Sequence, residues 1–220
     1  MAPRNRDAQE MRNGLEVMAW IEHLTAHPSV PVDLDLVCFF NKLVLQGTAR
    51  DAWAGRIRAT VDWQNPDDWG RPRAIVAQSK PGLAVADVQT GELITSFPPD
   101  GEVGPLLDGL LAWLPSDEAQ ALDSIERAAF LHHEFTRIHP FRDGNGRTAR
   151  ALMTLLLRRD GFEYEVLVLQ KVFDEDRAAY IEVLRQADAG DLSAWTLYLA
   201  QAIRRALLET RRLRGSAQSE

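Results

Sequence analysis

Apolar residues recur along most of this chain at the three- and four-residue spacing of an α-helix. The first stretch predicts a helix of about five turns, with an apolar stripe of Met11, Leu15, Met18 and residues 21–24, ended by the proline-containing segment 27–31. Further helices are expected near residues 33–45, 103–114, 118–138, 147–160, 174–189 and 191–213. Helices therefore dominate the predicted fold.

The stretch between the second and third predicted helices has a different pattern. Residues 58–63, 74–77, 83–88 and 92–96 are short, rich in β-branched side chains and bounded by Gly, Pro and Asn, which is typical of strands joined by turns. Thr90-Gly91 is a candidate hairpin turn. The predicted fold class is mainly α: one domain over residues 1–220, with N-terminal helices at about 1–50, one β-hairpin excursion at about 58–98 and a helical bundle at about 103–213.

Composition and charge narrow the function. A chain of 220 residues with 45% hydrophobic residues is long enough to bury a full core. The net charge of −7 and the pI near 5.3 argue against a binder of nucleic acid or of membrane surfaces. No apolar run approaches the roughly 20 residues that a bilayer-spanning helix needs. The sequence therefore predicts a cytoplasmic protein with no nucleic-acid or membrane partner.

One segment carries the candidate chemistry. Residues 124–138 form a helical pattern that delivers His139 at its end, where Pro140 prevents simple continuation. The segment Asp143-Gly-Asn-Gly-Arg147 follows, and then a mostly apolar run over residues 148–157 that predicts a buried helix. A glycine-rich turn that leads into a helix N-terminus is suited to binding an anion, because backbone N–H groups and the helix dipole meet there.

The side chains around this turn favour a polyphosphate ligand. Arg147 and Arg150 are three residues apart and therefore share one side of the first helical turn. Their two guanidinium groups suit several phosphates better than one carboxylate. Asp143 would repel such a ligand unless a cation bridges them, and Mg²⁺ commonly binds through one or two carboxylates plus substrate phosphates. His139 can take a proton from an attacking hydroxyl.

A glycine-rich loop or a histidine at a helix end is weak evidence when taken alone. Here eight positions are specified at fixed spacing, at about one chance in twenty each. The segment His139-Pro-Phe-Arg-Asp-Gly-Asn-Gly-Arg-Thr-Ala-Arg150 resembles the Fic family pattern HxFx(D/E)GNGRxxR without a departure. Weaker similarity to the family lies in Ala54-Gly-Arg-Ile-Arg58, in residues 97–107, and in Arg177-Ala-Ala-Tyr180 and residues 190–195.

The resemblance implies a role for each motif residue. His139 would be the general base, and Asp143 would hold Mg²⁺. The backbone of Gly144, Asn145 and Gly146, together with the Asn145 side chain, would bind the α-phosphate of ATP, and Arg147 and Arg150 would hold the β- and γ-phosphates. Phe141 would anchor the loop in the core.

The resemblance further implies a protein adenylyltransferase that moves AMP from ATP to a Ser, Thr or Tyr hydroxyl of a target protein. The β excursion would act as a flap that pairs with the target backbone, and a homodimer is compatible with the sequence. Removal of AMP, transfer of another nucleotide or of a phosphate group, and a nucleotide-binding regulatory module stay open as alternatives.

Two weaker assignments accompany the motif. His132 is interpreted as structural, while Tyr180, Ile181 and Asp188 match nucleotide contacts of the family only loosely. Family members often inhibit themselves with a helix bearing [S/T]xxxE[G/N]. The C-terminal segment 216–220 fits SxxxE, with a helix expected to end at Gly215. An inhibitory segment and an inert tail are both compatible with this pattern.

Overall fold

The computed structural model of the protein describes residues 3–58, 82–86, 93–163 and 166–217. The elements over these residues, in chain order, are α1 (Pro3–Ala26), α2 (Leu34–Leu45), a short 3₁₀ turn (Asp51–Trp53), β1 (Gly82–Ala86), β2 (Leu93–Pro99), α3 (Asp100–Trp113), α4 (Asp117–Ala121), α5 (Ser124–Ile138), α6 (Asn145–Arg159), α7 (Val166–Glu175), α8 (Arg177–Asp188) and α9 (Leu192–Ala217). The expectation of a mainly helical fold is confirmed.

Helices α5 and α6 pack against each other at the centre of the bundle. Two clusters of buried apolar side chains lie around this pair. One joins α5 and α6 to α1, α2 and α3, and the other joins them to α7, α8 and α9. Because α5 and α6 contribute to both clusters, the loop between them is anchored from two sides.

The buried face of α1 differs from the predicted stripe. Met11 and Leu15 are 69% and 50% exposed, whereas Val17 and Ile21 are buried. The buried face also contains Asn13, whose side-chain amide donates to the carbonyls of Val44 and Gln46 at 3.2 and 2.8 Å. Ile21 and Leu24 of the predicted stripe are buried, so the prediction holds for the second half of the helix. In the first half a polar residue lies on the packed face and interrupts the apolar pattern.

The two described strands form an antiparallel pair, with Val85 opposite Thr95 and irregular register on either side of that pairing. Strand β2 extends three residues beyond the predicted end and leads directly into α3. The predicted strands 74–77 and most of 58–63, like the predicted turn Thr90-Gly91, lie outside the described residues. One hairpin is thus present among the described residues.

Three helix boundaries were predicted wrongly. The single helix expected over 118–138 is divided into α4 and α5, because the Asp123 side chain caps a new helix by accepting from the N–H groups of Ile125 and Glu126. Helix α7 was not predicted, whereas the helix expected near 174–189 is present as α8. Helix α9 continues through Gly215 to Ala217, and Glu220 lies outside the described residues.

Candidate active site

The end of α5 fixes the backbone of His139. Its N–H donates to the Phe135 carbonyl at 3.0 Å and closes the last turn of the helix. Its φ of 53° and ψ of 57° lie in the left-handed region, and it is the only residue other than glycine with positive φ in the described part of the chain. Such a conformation is unfavourable for a residue with a Cβ and persists where its surroundings enforce it.

The imidazole of His139 is held on one face and at one nitrogen. The Phe97 ring from β2 stacks on it with 3.7 Å between ring centroids, and Nδ1 lies 3.2 Å from the Thr136 carbonyl. A carbonyl can only accept, so Nδ1 carries the proton and Nε2 keeps a free lone pair. Burial lowers the pKa of His139 to about 4, with a further lowering from the nearby Arg58 charge. The imidazole is therefore neutral at pH 7.

Phe141 anchors the loop that follows. Its side chain is fully buried in the cluster around α1, α2 and α3. Its backbone is held by the Asn145 amide, which accepts from the Phe141 N–H at 2.9 Å and donates to the Phe141 carbonyl at 2.7 Å. Asn145 is 2% exposed. Its side chain thus braces the loop, and the contact of Asn145 with a phosphate stays a prediction.

Gly144 allows the loop to approach α2 closely. Its φ is 81°, and a Cβ at this position would lie 2.9 Å from Asn41 Nδ2 and 3.1 Å from a methyl group of Val44. Asn41 is fully buried and donates from Nδ2 to the Asp143 carbonyl at 3.0 Å. A side chain at residue 144 would therefore displace the contact that positions the loop.

Helix α6 begins immediately after this glycine. The Thr148 N–H donates to the Gly144 carbonyl at 2.8 Å, so the N–H groups of Asn145, Gly146 and Arg147 form the first turn, where no intrahelical acceptor exists. Around Gly146 the nearest atom to an added Cβ would be Arg150 Nη1 at 3.5 Å. The backbone is thus open to a ligand at the positive end of the helix dipole.

Three charged side chains surround this helix start. Arg147 contacts Asp143 at 3.4 Å and Glu10 of α1 at 3.7 Å. Arg150 Nε donates to the Gln170 side chain of α7 at 2.7 Å. The Asp143 carboxylate accepts from the Gly144 N–H at 2.6 Å and is 36% exposed. These side chains place two positive charges and one carboxylate beside the exposed amides.

All of these groups line one cavity of about 620 Å³, a volume typical of small-molecule sites. Its lining consists of Glu10, Asn13, Gly14, Val17, Met18, Ile21, Val44, His139, Arg142, Asp143, Gly144, Asn145, Gly146, Arg147, Arg150, Ala151, Thr154, Gln170, Asp174 and Arg177. Every motif residue predicted for catalysis, phosphate or metal therefore lies at the same cavity.

The weaker assignments lie elsewhere. His132 is fully buried, its Nε2 is 3.0 Å from the Tyr180 hydroxyl, and burial lowers its pKa to about 3. Asp188 contacts His133 at 2.9 Å, and Ile181 is 45% exposed. Neither these residues nor Tyr180 line the cavity. His132 and Tyr180 have the surroundings of a packed, hydrogen-bonded pair.

Sequence reasoning gave no role to several residues that hold the site. Arg58, Asn41 and Phe97 contact the loop or His139 directly, and Gln170 contacts Arg150. Asn41 had a usable signal, since it is a polar residue within the apolar run of α2. For the others the contacts join distant parts of the chain, and spacing along the sequence does not reveal them.

Two features are absent from the described residues. No group of three or more His, Cys, Asp or Glu side chains is arranged to hold a metal ion there. No helix in the same part of the chain combines the length and apolarity needed to cross a bilayer.

Comparison with known proteins agrees with the site geometry. The Fic/DOC family matches residues 31–157, which is more than half of the chain. Protein adenylyltransferase fic-1 of Caenorhabditis briggsae is 41% identical over 95 residues, 43% of this chain and 18% of that protein. Protein adenylyltransferase Fic of Aedes aegypti is 36% identical over 110 residues, 50% of this chain and 21% of that protein. The chain thus spans about a fifth of the length of the curated relatives it matches.

Solved structures extend the similarity to the whole chain. Fic-1 from C. elegans is similar with a TM-score of 0.67 and 26% identity, over 97% of this chain and 53% of that one. A Fic family protein from Desulfovibrio desulfuricans G20 has a TM-score of 0.69 at 24% identity, over 97% of this chain and 55% of that one, and this likeness concerns the fold alone.

Proposed function

The chain belongs to the Fic/DOC family, and on that premise we propose that it transfers AMP from ATP to a Ser, Thr or Tyr hydroxyl of a target protein. The observation that carries the proposal is a neutral imidazole, His139, at the same cavity as an open helix N-terminus and two arginines. A base beside an anion site is what attack of a hydroxyl on a phosphate ester requires.

The reaction has a balanced description. The hydroxyl oxygen of the target forms a bond to the α-phosphorus, and the bond from that phosphorus to the bridging oxygen of the β-phosphate breaks. The hydroxyl proton passes to Nε2 of His139, while the Nδ1–H group keeps its hydrogen bond to the Thr136 carbonyl. Pyrophosphate leaves with the bonding electron pair. A base with a low pKa is present in its active form at pH 7.

The phosphate contacts follow from the start of α6. The first-turn N–H groups of Asn145, Gly146 and Arg147 would bind the α-phosphate, and Arg147 and Arg150 would hold the β- and γ-phosphates. In the absence of a nucleotide, both guanidinium groups have protein partners nearby, Glu10 and Asp143 for Arg147 and Gln170 for Arg150. Hydrogen-bond donors that already point to where negative charge develops in the transition state lower the activation barrier, because they need not reorganise during the reaction.

Asp143 would hold Mg²⁺. The half-exposed Asp143 carboxylate lies beside the first-turn amides and fits an ion that binds through one protein carboxylate and several phosphate oxygens. When bound, Mg²⁺ would neutralise charge on the departing pyrophosphate. Asp143→Ala should therefore abolish both activity and its dependence on added Mg²⁺. Asp174→Ala, which removes another carboxylate from the same cavity, is the matched control and should keep the Mg²⁺ response.

The target protein would meet the site at the hairpin. Strand β2 ends next to the catalytic histidine through the Phe97 stack, so a target segment paired with the hairpin would bring its hydroxyl near His139. A cytoplasmic location, a homodimer, and the lack of nucleic-acid or membrane partners stay predictions.

Position-specific labelling of ATP tests the reaction. The protein is incubated with a cell lysate and Mg²⁺ and with ATP labelled at the α- or the γ-phosphate, and His139→Ala provides the background. We expect protein labelling from α-labelled ATP only. Labelling from γ-labelled ATP alone would indicate phosphate transfer, and α-labelled UTP or GTP tests another donor. ATP binding without labelling would indicate a nucleotide-binding module and would contradict the proposal.

A further inference from the structure

Arg58 is a charged side chain with no solvent exposure. Its guanidinium donates from Nε to the His139 carbonyl at 2.8 Å and from Nη2 to the Ile138 carbonyl at 3.2 Å. It also donates to the Pro98 carbonyl and to the Asp100 carboxylate. Its acceptors therefore belong to two places, the end of α5 and the junction between β2 and α3.

The backbone around Arg58 lies along the catalytic loop. The Arg58 N–H donates to the Pro140 carbonyl at 2.8 Å, and the preceding residue, Ile57, forms an isolated antiparallel bridge with Phe141. Both backbone and side chain thus contact the residues next to His139. A long, flexible side chain is fixed here by several partners at once, as a planar guanidinium allows.

These contacts hold the two groups that fix the His139 imidazole, which are the His139 backbone and the Phe97 ring. The carbonyl that Arg58 binds belongs to the left-handed residue itself, which lines the cavity. The second support is the Phe97 ring, and the carbonyl of the next residue, Pro98, accepts a hydrogen bond from the same guanidinium. Loss of Arg58 would release the His139 backbone. It would also release strand β2, whose Phe97 ring stacks on the imidazole.

We propose that Arg58 is a positioning residue that fixes the His139 imidazole and joins the end of the hairpin to the catalytic base. The contacts of Arg58 described above go to the backbone around His139 and to the junction of β2 and α3. The proposed role therefore concerns orientation of the base and of the hairpin, and we expect it to change ATP affinity little. The kinetic part of this inference rests on the proposed function.

Three variants test the inference. Arg58→Met removes all the hydrogen-bond donors of the side chain, and Arg58→Lys keeps the charge but loses the planar guanidinium. Asp100→Asn leaves Arg58 in place and removes the negative charge that pairs with its guanidinium. The matched control is Arg127→Lys, because Arg127 is a largely buried arginine at the other end of α5, paired with Asp160 at 2.6 Å. If Arg58→Met does not fold, the other two variants decide.

Two measurements separate positioning from general damage. In transfer assays we expect kcat to fall by about 10²-fold in Arg58→Met, the size of effect that misplacement of a catalytic group produces. Arg58→Lys should lie between Arg58→Met and the parent, and the dissociation constant for ATP should stay within about two-fold throughout. A fall in ATP affinity parallel to kcat, or a kcat in Arg58→Lys equal to that of Arg127→Lys, would overturn the inference.

The second measurement does not need activity. Nitrogen-15 NMR of the imidazoles, with the His139 signals assigned by their absence in His139→Ala, reports which ring nitrogen carries the proton. We expect one tautomer, protonated at Nδ1, in the parent and in Arg127→Lys, and exchange between tautomers in the Arg58 variants. Unchanged His139 signals in those variants would refute the positioning role. If no variant and not even the parent transfers AMP, the proposed function fails, while the NMR result still decides on Arg58.

Discussion

Helix α5 begins with contacts among residues of its own first turn and ends with contacts to a side chain 80 and 81 residues earlier in the chain. At its start, Asp123 accepts from the N–H groups of Ile125 and Glu126 at 2.8 Å, and Glu126 accepts from the Asp123 N–H at 3.2 Å. This is a capping box, complete within four residues. At its end, His139 has a left-handed backbone conformation, and its carbonyl accepts a hydrogen bond from Arg58.

The difference separates two tasks on one helix. The start is exposed, and its hydrogen bonds stop the helix from fraying without involving a ligand. The end combines an unfavourable backbone, a half-buried imidazole and a fully buried guanidinium, each of which costs folding free energy. Distant contacts compensate for these costs, and they place a neutral base at a cavity. The start of the helix thus contributes to stability and the end to chemistry.

The largest effect is expected from loss of the base, which should lower the reaction rate. His139→Ala should lower the rate of AMP transfer by about 10²–10⁴-fold, the usual contribution of a general base. ATP affinity should change little, since the imidazole is proposed to touch no phosphate. Radiolabel incorporation and calorimetric ATP titration measure the two quantities. His133→Gln, on the same helix but away from the cavity, is the control, and a parent-like rate in His139→Ala would remove the base assignment.

The pH dependence of activity should also reflect the buried end of α5. Burial lowers the pKa of His139 to about 4, so the base stays deprotonated as the pH falls from 7 toward 4. At pH 5 a histidine of ordinary pKa is only about 3% neutral, whereas one of pKa about 4 is about 90% neutral, roughly a thirty-fold difference.

The acid limb of kcat/KM should therefore lie near pH 4. The bonds of His133 to Glu134 and Asp188 outweigh its burial and raise its pKa, so His133 titrates in a different range. His133→Gln should leave the limb in place. Phe97→Leu, which uncovers one face of the His139 ring, should move the limb upward. A limb near pH 6.5 in the parent would contradict the burial of the imidazole.

The two ends also differ in how well they can be predicted from sequence. The His139 loop is recognisable because its glycines, arginines and acid follow one another at fixed spacing. The Asp123–Glu126 box is equally local, but the helical pattern continues across it, and that pattern alone predicts one helix over 118–138. Arg58 was noticed only as part of a resemblance, and no local pattern indicates that its side chain binds the His139 carbonyl.

Packing explains the remaining differences. The buried face of α1 includes Asn13, whose amide bonds to the end of α2, so apolar spacing alone selected the exposed Met11 and Leu15. The Asn145 amide bonds to the Phe141 backbone within the loop, a contact that its place in the sequence does not indicate. Side-chain roles such as these depend on neighbours that the fold brings together, whereas helix type and motif position follow from the sequence nearby.

A smaller effect is expected at the glycine that follows the end of α5. Gly144→Ala should destabilise the protein by about 1–3 kcal/mol, because φ is positive and the new Cβ would displace Asn41 from the Asp143 carbonyl. Gly109→Ala is the matched control within α3, where no atom lies within 4 Å of the added Cβ, and it should stabilise by up to about 1 kcal/mol. Urea unfolding measures both. Equal effects at the two glycines would show that the loop tolerates a side chain.

The smallest effect is expected at the start of α5. Asp123→Ala removes the acceptor of two N–H groups in the first turn and should lower the free energy of unfolding by about 1 kcal/mol, as loss of an N-cap usually does. The rate of AMP transfer and the ATP affinity should stay at the level of the parent, because His139 is held by Arg58, Thr136 and Phe97 and none of these contacts the cap. Urea unfolding and the transfer assay are run on the same preparation. If Asp123→Ala lowers kcat by more than about three-fold while the protein stays folded, the two ends of α5 are coupled, and the base depends on the integrity of the whole helix rather than on its distant partners.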